Sequence, residues 1–476
     1  MTKTPNGLDP ALAERFTAIV GERYAVRQGS DIEPYVHEPR GLFTGATSLV
    51  LRPGSVEEVS AIMKLATESR TPVVPQGGNT GLVGGQVPDR SGGQVVLSLS
   101  RLNRIREIDP VSNTVIAEAG VVLDQLHHAA DTVDRLYPLS LASQGSCQIG
   151  GNLSSNAGGT AVLAYGNARE LCLGVEVVLP TGEVLDDLRK LKKDNTGYDL
   201  KNLFVGAEGT LGIITAAVLK LYPKPKGREV AWVGLASAEA ALALFNTAQD
   251  LGGGALTAFE LIGRIPMEFA MRHIPDARPP LQGDWDWQVL MEISSGRSAE
   301  DARTLIEDIL SSGFEAGQVG DAAIAASIGH ANEFWRLREM LPETQKAEGA
   351  SIKHDISVPI ASIPAFIEQA GRAVAGVSPE ARVVCFGHMG DGNLHYNVSQ
   401  PAGMEGEAFL ALYRRMNDAV HAVVRSFNGS ISAEHGIGQL KRDELIATAP
   451  PVAIELMRRV KSVFDPAGIM NPGKVI

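Results

Sequence analysis

Two rhythms of apolar and polar residues run along this chain. From about Ala11 to Tyr24 the apolar positions recur at helical spacing, which predicts a short amphipathic helix. A brief apolar run at Ser48 to Leu51 predicts a strand, closed by Pro53-Gly54-Ser55. Ser55 is placed to cap a helix running to about Ser69, and Glu58 stands at capping-box spacing from it. Thr71-Pro72-Val73-Val74-Pro75 predicts a strand that runs straight into a glycine-rich loop. Short strands and turns alternate from there: Val95 to Leu99, Ile105 to Glu107 and Thr114 to Glu118. A helix is expected near Leu123 to Val133, and strands at Val175 to Leu179 and Ile213 to Lys220, with a Thr181-Gly182 turn between them.

At Pro223-Lys224-Pro225-Lys226 two prolines stop the strand pattern, and a domain boundary is expected there. Beyond it, from about Glu229 to Pro379, strands and helices alternate, with an alanine-rich helix at Ser237 to Leu251. That rhythm suits an α+β sandwich with helices on one face of a sheet. Val383 to Phe386 and Leu394 to Val398 read as a hairpin turning at Gly390-Asp391-Gly392-Asn393. A last helix is expected at Val452 to Phe464.

A length of 476 residues exceeds what one core usually supports and implies two or three domains. Hydrophobic residues at 44% and charged residues at 21% are ordinary for a soluble protein. Aromatics at 5% make base-stacking platforms improbable, and a net charge of -12 argues against binding a nucleic-acid backbone. It leaves room for an anionic substrate in a local basic pocket. Three cysteines, Cys147, Cys172 and Cys385, form no ligand pattern and favour a reducing compartment. Met1 to Pro10 is polar and lacks the apolar core of a signal peptide, and no run is apolar enough to span a bilayer, so a cytoplasmic location is expected.

Three backbone-rich segments suggest a phosphate cradle. The first is Gln76-Gly77-Gly78-Asn79-Thr80-Gly81-Leu82-Val83-Gly84-Gly85, the second Gly145 to Gly159, and the third Gly206-Ala207-Glu208-Gly209-Thr210-Leu211-Gly212-Ile213-Ile214. Successive amides in such turns make an anion-binding concavity. A single glycine cluster reads equally well as a turn; three in one stretch favour a ligand. The pattern is neither the Rossmann G-x-G-x-x-G nor a P-loop.

A second constellation lies far downstream. Phe386-Gly387-His388-Met389-Gly390-Asp391-Gly392-Asn393-Leu394-His395-Tyr396-Asn397 and Ala433-Glu434-His435-Gly436-Ile437-Gly438 offer two imidazoles and a carboxylate, His388, His395 and Glu434, as metal ligands. His435 is left over to take a proton. Taken singly, either imidazole is more often a hydrogen-bonded core histidine; the combination favours a metal. The donor set suits Zn²⁺, with Mn²⁺ a second choice.

Pro-Gln-Gly-Gly-Asn-Thr-Gly-Leu from Pro75, Gly-Ser-Cys-x-Ile-Gly-Gly-Asn from Gly145, Gly-x-Glu-Gly-Thr-Leu-Gly-Ile from Gly206 and the terminal Asn471-Pro472-Gly473-Lys474 occur in this order. Together they resemble the vanillyl-alcohol-oxidase-type (PCMH-type) FAD flavoproteins. The chain is most similar to the D-2-hydroxyacid dehydrogenase branch, which includes D-2-hydroxyglutarate dehydrogenase, D-lactate dehydrogenase and the glycolate oxidase FAD subunit. The resemblance runs from roughly Ser48 to the last residue. It implies an α+β fold: an N-terminal helical segment 1–45, a two-part FAD-binding PCMH-type domain 46–225, an α+β cap domain with an antiparallel sheet at 226–430, and a C-terminal segment 431–476 returning to the flavin.

The resemblance further implies FAD contacts at Pro75, Gly77, Gly78, Asn79, Thr80, Gly81 and Leu82 of the first segment. In the second they are Gly145, Ser146, Ile149, Gly150, Gly151, Asn152, Ser155, Asn156, Gly158 and Gly159, and in the third Glu208, Gly209, Gly212 and Ile214, with Asn471 near the end. Some relatives tether FAD through a histidine in the first loop; Asn79 stands there, so FAD is expected to be non-covalent. The same likeness places metal ligands at His388, His395 and Glu434, the base at His435, and substrate contacts at Asn397, Arg338 and Lys353. On pattern alone Lys353 belongs to a solvated strand face, since Ser351, Lys353, Asp355 and Ser357 alternate with apolar residues. One position departs from the pattern: D-2-hydroxyglutarate dehydrogenases carry a threonine four residues after the clamp arginine, and here Pro342 stands there, with Thr344 close by. The identity of the 2-hydroxy acid stays open. An external electron acceptor (an electron-transfer flavoprotein, cytochrome or quinone) and a homodimer are expected. The rival readings are a zinc hydrolase, which leaves the glycine loops without a role, and a flavin electron-relay subunit without its own substrate.

Overall fold

The computed structural model describes residues 7–476; residues 1–6 of the polar opening stretch, and of the expected helical segment 1–45, lie outside the described residues. The chain divides into two units. The first holds the residues up to Ala157, Asn167–Pro223 and Glu434–Ile476; the second holds Gly158–Gly166 and Lys224–Ala433.

The first unit opens with α1 (Pro10–Val20), whose N-cap Asp9 accepts from the Leu12 amide and whose Phe16 and Val20 enter the core. After β1 (Ala25–Val26), α2 (Gly29–Val36) and β2 (Val50–Leu51) comes α3 (Val56–Ser69). Ser55 accepts from the Glu58 amide as expected, but the Glu58 carboxylate accepts from Gly54 N at 2.7 Å, so the capping box is displaced by one residue. Val59, Ile62, Met63 and Ala66 of α3 are fully buried, a 3–4 spacing that fixes its inner face. β3 (Val73–Gln76) and β2 both run parallel to β4 (Val95–Ser98), giving the order β1-β2-β4-β3. The second sheet is antiparallel. β5 (Ile105–Asp109) and β6 (Thr114–Glu118) precede α4 (Leu123–Asp131) and α5 (Ile149–Ser154). β7 (Cys172–Val178), β8 (Val184–Asp187) and β9 (Ile213–Lys220) complete it in the order β5-β6-β9-β7-β8.

The second unit is built on one antiparallel sheet. In chain order its elements are β10 (Gly227–Leu235), α6 (Ala238–Gly252), β11 (Leu256–Gly263), α7 (Arg264–His273), β12 (Trp287–Ser295), α8 (Ala299–Glu315), β13 (Asp321–Ile324), α9 (Ile328–Ala347), β14 (Ser351–Ile352), β15 (Asp355–Ser357), α10 (Ile363–Val377), β16 (Arg382–His388), β17 (Asn393–Ser399) and α11 (Tyr413–Ser426). The strand order is β13-β10-β12-β11-β16-β17-β14, with β15 also pairing β17.

Helices cover both faces of this sheet, not one as the alternation suggests. Ala231, Val233 and Leu235 join a core with α6, α8, α10 and α11. Val230 and Trp232 join another with α7 and α9. The near-continuous apolar runs of β10 and β12 are the physical reason, since a strand covered on both faces has no polar side. The chain then returns to the first unit through α12 (Pro451–Phe464). All three cysteines are free and buried. Among the described residues no helix is long and apolar enough to cross a membrane.

Candidate active site

In the first unit the end of β3 runs into an open groove whose walls are mostly backbone. Of the residues assigned to FAD in sequence, it is lined by Pro75, Gly77, Gly78, Asn79, Thr80, Gly81, Gly150, Gly151, Asn152, Ser155, Glu208, Gly209, Gly212 and Ile214. His435 lines the same groove. Leu82, Gly145, Ser146, Ile149, Asn156 and Asn471 are not on its wall, and Gly158 and Gly159 belong to the second unit. Four of the first six have partners of their own within the fold. The Leu82 carbonyl accepts from the Arg40 guanidinium, and Ile149 is buried in the core. Asn156 Oδ1 accepts from Arg169 N, and Asn471 Nδ2 donates to the carbonyls of Gly85 and Glu208. Gln76, Gln86 and Gln148 line the groove and were missed in sequence, although each is adjacent or close to a motif glycine.

The groove suits a large polar ligand on two grounds. Asn79 Oδ1, Gln148 Oε1 and Asn152 Nδ2 are buried on or beside its wall with no hydrogen-bond partner among the described residues. Such groups are costly unless something satisfies them. The loops are also packed backbone to backbone, so that a Cβ on Gly78 would lie 2.0 Å from the Ser146 carbonyl oxygen. Only a glycine lets these strands of chain approach a ligand together. Asn79 itself adopts φ 55° and donates from Nδ2 to the carbonyls of Pro34 (2.8 Å) and His37 (3.0 Å), tying the loop to α2.

The second unit supplies a buried cluster of ionisable side chains. β11 reads Leu-Thr-Ala-Phe-Glu-Leu-Ile-Gly with every residue buried, and Glu260 in its middle has 0% exposure. The β11–β16 register sets Glu260 opposite His388. Glu260 Oε1 lies 2.8 Å from His388 Nδ1; Oε2 accepts from Arg338 Nε at 2.8 Å, with Nη2 2.6 Å away. Burial alone would raise this carboxyl's pKa, but His388 and Arg338 outweigh it and hold the group at about 2. Glu260 engages the Nδ1 side of the His388 ring and so fixes how the imidazole is turned. Arg338 also lies over the Phe386 ring, 5.0 Å from its centroid.

The β16–β17 hairpin pairs Phe386 with His395 and brings the His395 ring to 5.7 Å from that of His388. The turn needs Gly392, which has φ 85° and whose Cβ would lie 2.3 Å from the Val358 carbonyl. Asp355, on β15 directly across from His395, is buried and accepts from Asn393 Nδ2 at 3.0 Å. Burial pushes the neighbouring Asp391 carboxyl up to about 6, against the pull of His388 and the Asn393 amide. Asn397 is buried and its Oδ1 accepts from His354 N at 3.1 Å. Lys353 sits half-buried between β14 and β15. Pro342 lies inside α9, so the Arg338 carbonyl has no amide four residues on to accept from. Thr344 is buried and donates from Oγ1 to the Leu341 carbonyl at 2.9 Å. Glu434 and His435 belong to the first unit.

A glycine-walled groove in a discontinuous unit of small sheets, followed by an antiparallel α+β unit, defines a two-domain flavoprotein of the PCMH type. Comparison with known proteins gives the same class. Residues 47–187 match the FAD binding domain family, and residues 224–475, more than half the chain, match the FAD linked oxidases, C-terminal domain. The chain belongs to the FAD-linked oxidase family and is an FAD-linked oxidoreductase. It is 36% identical over 471 residues to the mitochondrial D-2-hydroxyglutarate dehydrogenase of Arabidopsis thaliana, covering 99% of this chain and 82% of the relative. It is 36% identical to the D-2-hydroxyglutarate dehydrogenase of Stutzerimonas stutzeri, covering 98% of this chain and 99% of the relative. Among solved structures, p-cresol methylhydroxylase with substrate bound shares the fold at TM-score 0.77 and 17% identity, covering 99% of this chain and 98% of that one. An alkyldihydroxyacetonephosphate synthase does so at TM-score 0.74 and 18% identity, covering 98% and 87%.

Proposed function

We propose that the chain oxidises a D-2-hydroxy acid, of the D-2-hydroxyglutarate or D-lactate type, to the corresponding 2-oxo acid. The observation that carries this reading is His435 on the wall of the glycine-lined groove: a proton acceptor beside the place where FAD would lie. The relatives' activity and the buried Arg338 support it.

Bound FAD, held without a covalent link, supplies the acceptor for the hydride that leaves C2. His388 and His395, with Glu434, would hold a divalent cation, Zn²⁺ before Mn²⁺, whose chemistry there is to make the substrate hydroxyl more acidic. The remaining work falls to the chain's own residues. Glu260 occupies the Nε–Nη2 edge of Arg338 and leaves the other edge of the guanidinium to grip the substrate carboxylate. Lys353 adds a second positive charge, and Asn397 fixes the substrate's orientation. An imidazole nitrogen of His435 takes the hydroxyl proton. The two electrons then pass to an external acceptor, an electron-transfer flavoprotein, cytochrome or quinone. Because Pro342 has no hydroxyl and Thr344 is bonded to Leu341, neither side chain is set to hold a distal carboxylate. The substrate range therefore extends to acids smaller than D-2-hydroxyglutarate.

The test is anaerobic bleaching of the flavin by D-2-hydroxyglutarate, D-lactate, glycolate and D-malate, on the wild type and on His435→Ala. Bleaching by at least one acid is expected, slowed about 10²- to 10⁴-fold in the variant with FAD retained. A flavin that none of these acids reduces would sink the proposal, and unchanged kinetics in the variant would remove His435 from the role of base.

A further inference from the structure

Glu208 is oddly placed for a residue in a glycine turn. It adopts φ 52°, a left-handed conformation that a glutamate rarely takes, between Gly206 and Gly209, which adopt the same hand. Its side chain reaches across the unit to one short stretch of backbone. Oε1 accepts from Ile437 N at 2.7 Å and Oε2 from Gly438 N at 2.8 Å. Those amides lie two and three residues past His435.

The surroundings leave the carboxylate little freedom. A Cβ on Gly436 would stand 2.8 Å from Oε1, and one on Gly85 would stand 3.3 Å from Oε2. Asn471 Nδ2 donates to the Glu208 carbonyl at 2.8 Å and to the Gly85 carbonyl at 2.9 Å, fixing the turn from behind. On its far side the 437–441 loop is held by the Val83 carbonyl, which accepts from Gln439 N at 2.9 Å, and by Gln439 Nε2, which donates to the Gly84 carbonyl at 2.7 Å. Burial raises the Glu208 carboxyl pKa, and the two amides oppose that by stabilising its charge. A carboxylate only accepts hydrogen bonds, and both of its oxygens are already turned to this loop.

We infer that Glu208 is a positioning residue: its bidentate grip on the Ile437 and Gly438 amides sets how the loop presents His435 to the groove. This rests on the reading of His435 as the base. Glu208 is thereby assigned to the loop and not to the flavin, although it lies on the groove wall.

The experiment uses the FAD-loaded protein and compares Glu208→Gln, Glu208→Asp and His435→Ala. Glutamine keeps the size but turns one acceptor into a donor facing a backbone N–H, so it holds one amide at most. Three quantities are read: flavin content, the rate of flavin reduction per bound flavin, and hydrogen exchange of the peptide spanning residues 434–441. Glu208→Gln is expected to keep its flavin, to exchange the two amides at least about tenfold faster, and to slow reduction about 10- to 100-fold at unchanged substrate half-saturation. Glu208→Asp, which keeps the charge, is expected to recover part of the rate. Wild-type exchange and reduction in Glu208→Gln would overturn the inference. So would loss of FAD with the rate per bound flavin intact, which would make Glu208 a cofactor contact. Wild-type reduction in His435→Ala alongside loosened amides in Glu208→Gln would overturn the base and leave the loop anchor standing.

Discussion

The two functional regions are made of opposite materials. The groove of the first unit is backbone brought close by missing side chains, as where Gly78 meets Ser146. The cluster of the second unit is ionised side chains sunk into apolar layers, with Glu260 at its centre between Arg338 and His388. The first is expected to fail when an atom is added to its tightly packed glycines, the second when a charge loses its partner. The contrast can be broken or sharpened by matched substitutions.

The largest effect is expected from Glu260→Ala, which strands the Arg338 guanidinium in a buried site. Removing one partner of such a pair costs about 3–5 kcal/mol. Urea unfolding should show that loss, and a change under about 1 kcal/mol would mean that the cluster is not held by its charges. Next is Gly78→Ala. The added methyl must push the first two loops apart, at about 1–3 kcal/mol of overpacking. The expected readout is a loss of FAD affinity of about tenfold or more (about 1.4 kcal/mol). Retained affinity would show that the two loops do not have to touch.

Acid should act on the second region through Glu260. Its folded pKa, about 2, lies below the ordinary 4.5, so its stabilisation is complete above 4.5 and disappears as the pH falls through 2. The melting-temperature gap between wild type and Glu260→Gln should therefore be widest near neutrality and narrow steadily below pH 4.5. A gap independent of pH would contradict the ionised pairing. A smaller effect is expected from Asn79→Ala, which deletes two hydrogen bonds and places alanine at φ 55°. About 1–2 kcal/mol of stability should go, measured by melting with and without added FAD. In the wild type, acid precipitation should leave the yellow colour in the supernatant. Thr344→Val should cost least, about 1 kcal/mol for one buried hydroxyl bond, with the same relative rates across the acid panel.

Legibility in sequence followed the same division. Turn chemistry is local, so the glycine segments, the Ser55 cap and the hairpin carrying His388 and His395 could be read from neighbouring letters. Glu260 could not be placed, because its partners are 78 and 128 residues away and only the sheet register unites them. Its sequence signal was a single carboxylate within an otherwise apolar strand pattern. Asp355 was read as part of a solvated face, yet it is buried opposite His395. The helices on both sheet faces were missed because alternation reports the period of each element and not which side its neighbours take. Asn471 has a second task that its motif does not reveal: its side-chain amide joins two backbone carbonyls from distant parts of the chain.

The strand that feeds the first glycine loop has one neighbour from very late in the chain. Val73 N donates to the Ile469 carbonyl, and Asn471 N donates to the Val73 carbonyl. Nearly four hundred residues of polypeptide must be synthesised between these partners. A ribosome-bound chain can thus form most of its secondary structure while the edge beside the nucleotide loop is still unzipped. That edge can close only once Ile469 to Asn471 have been made, although the entropic cost of joining ends so far apart grows only slowly with their separation.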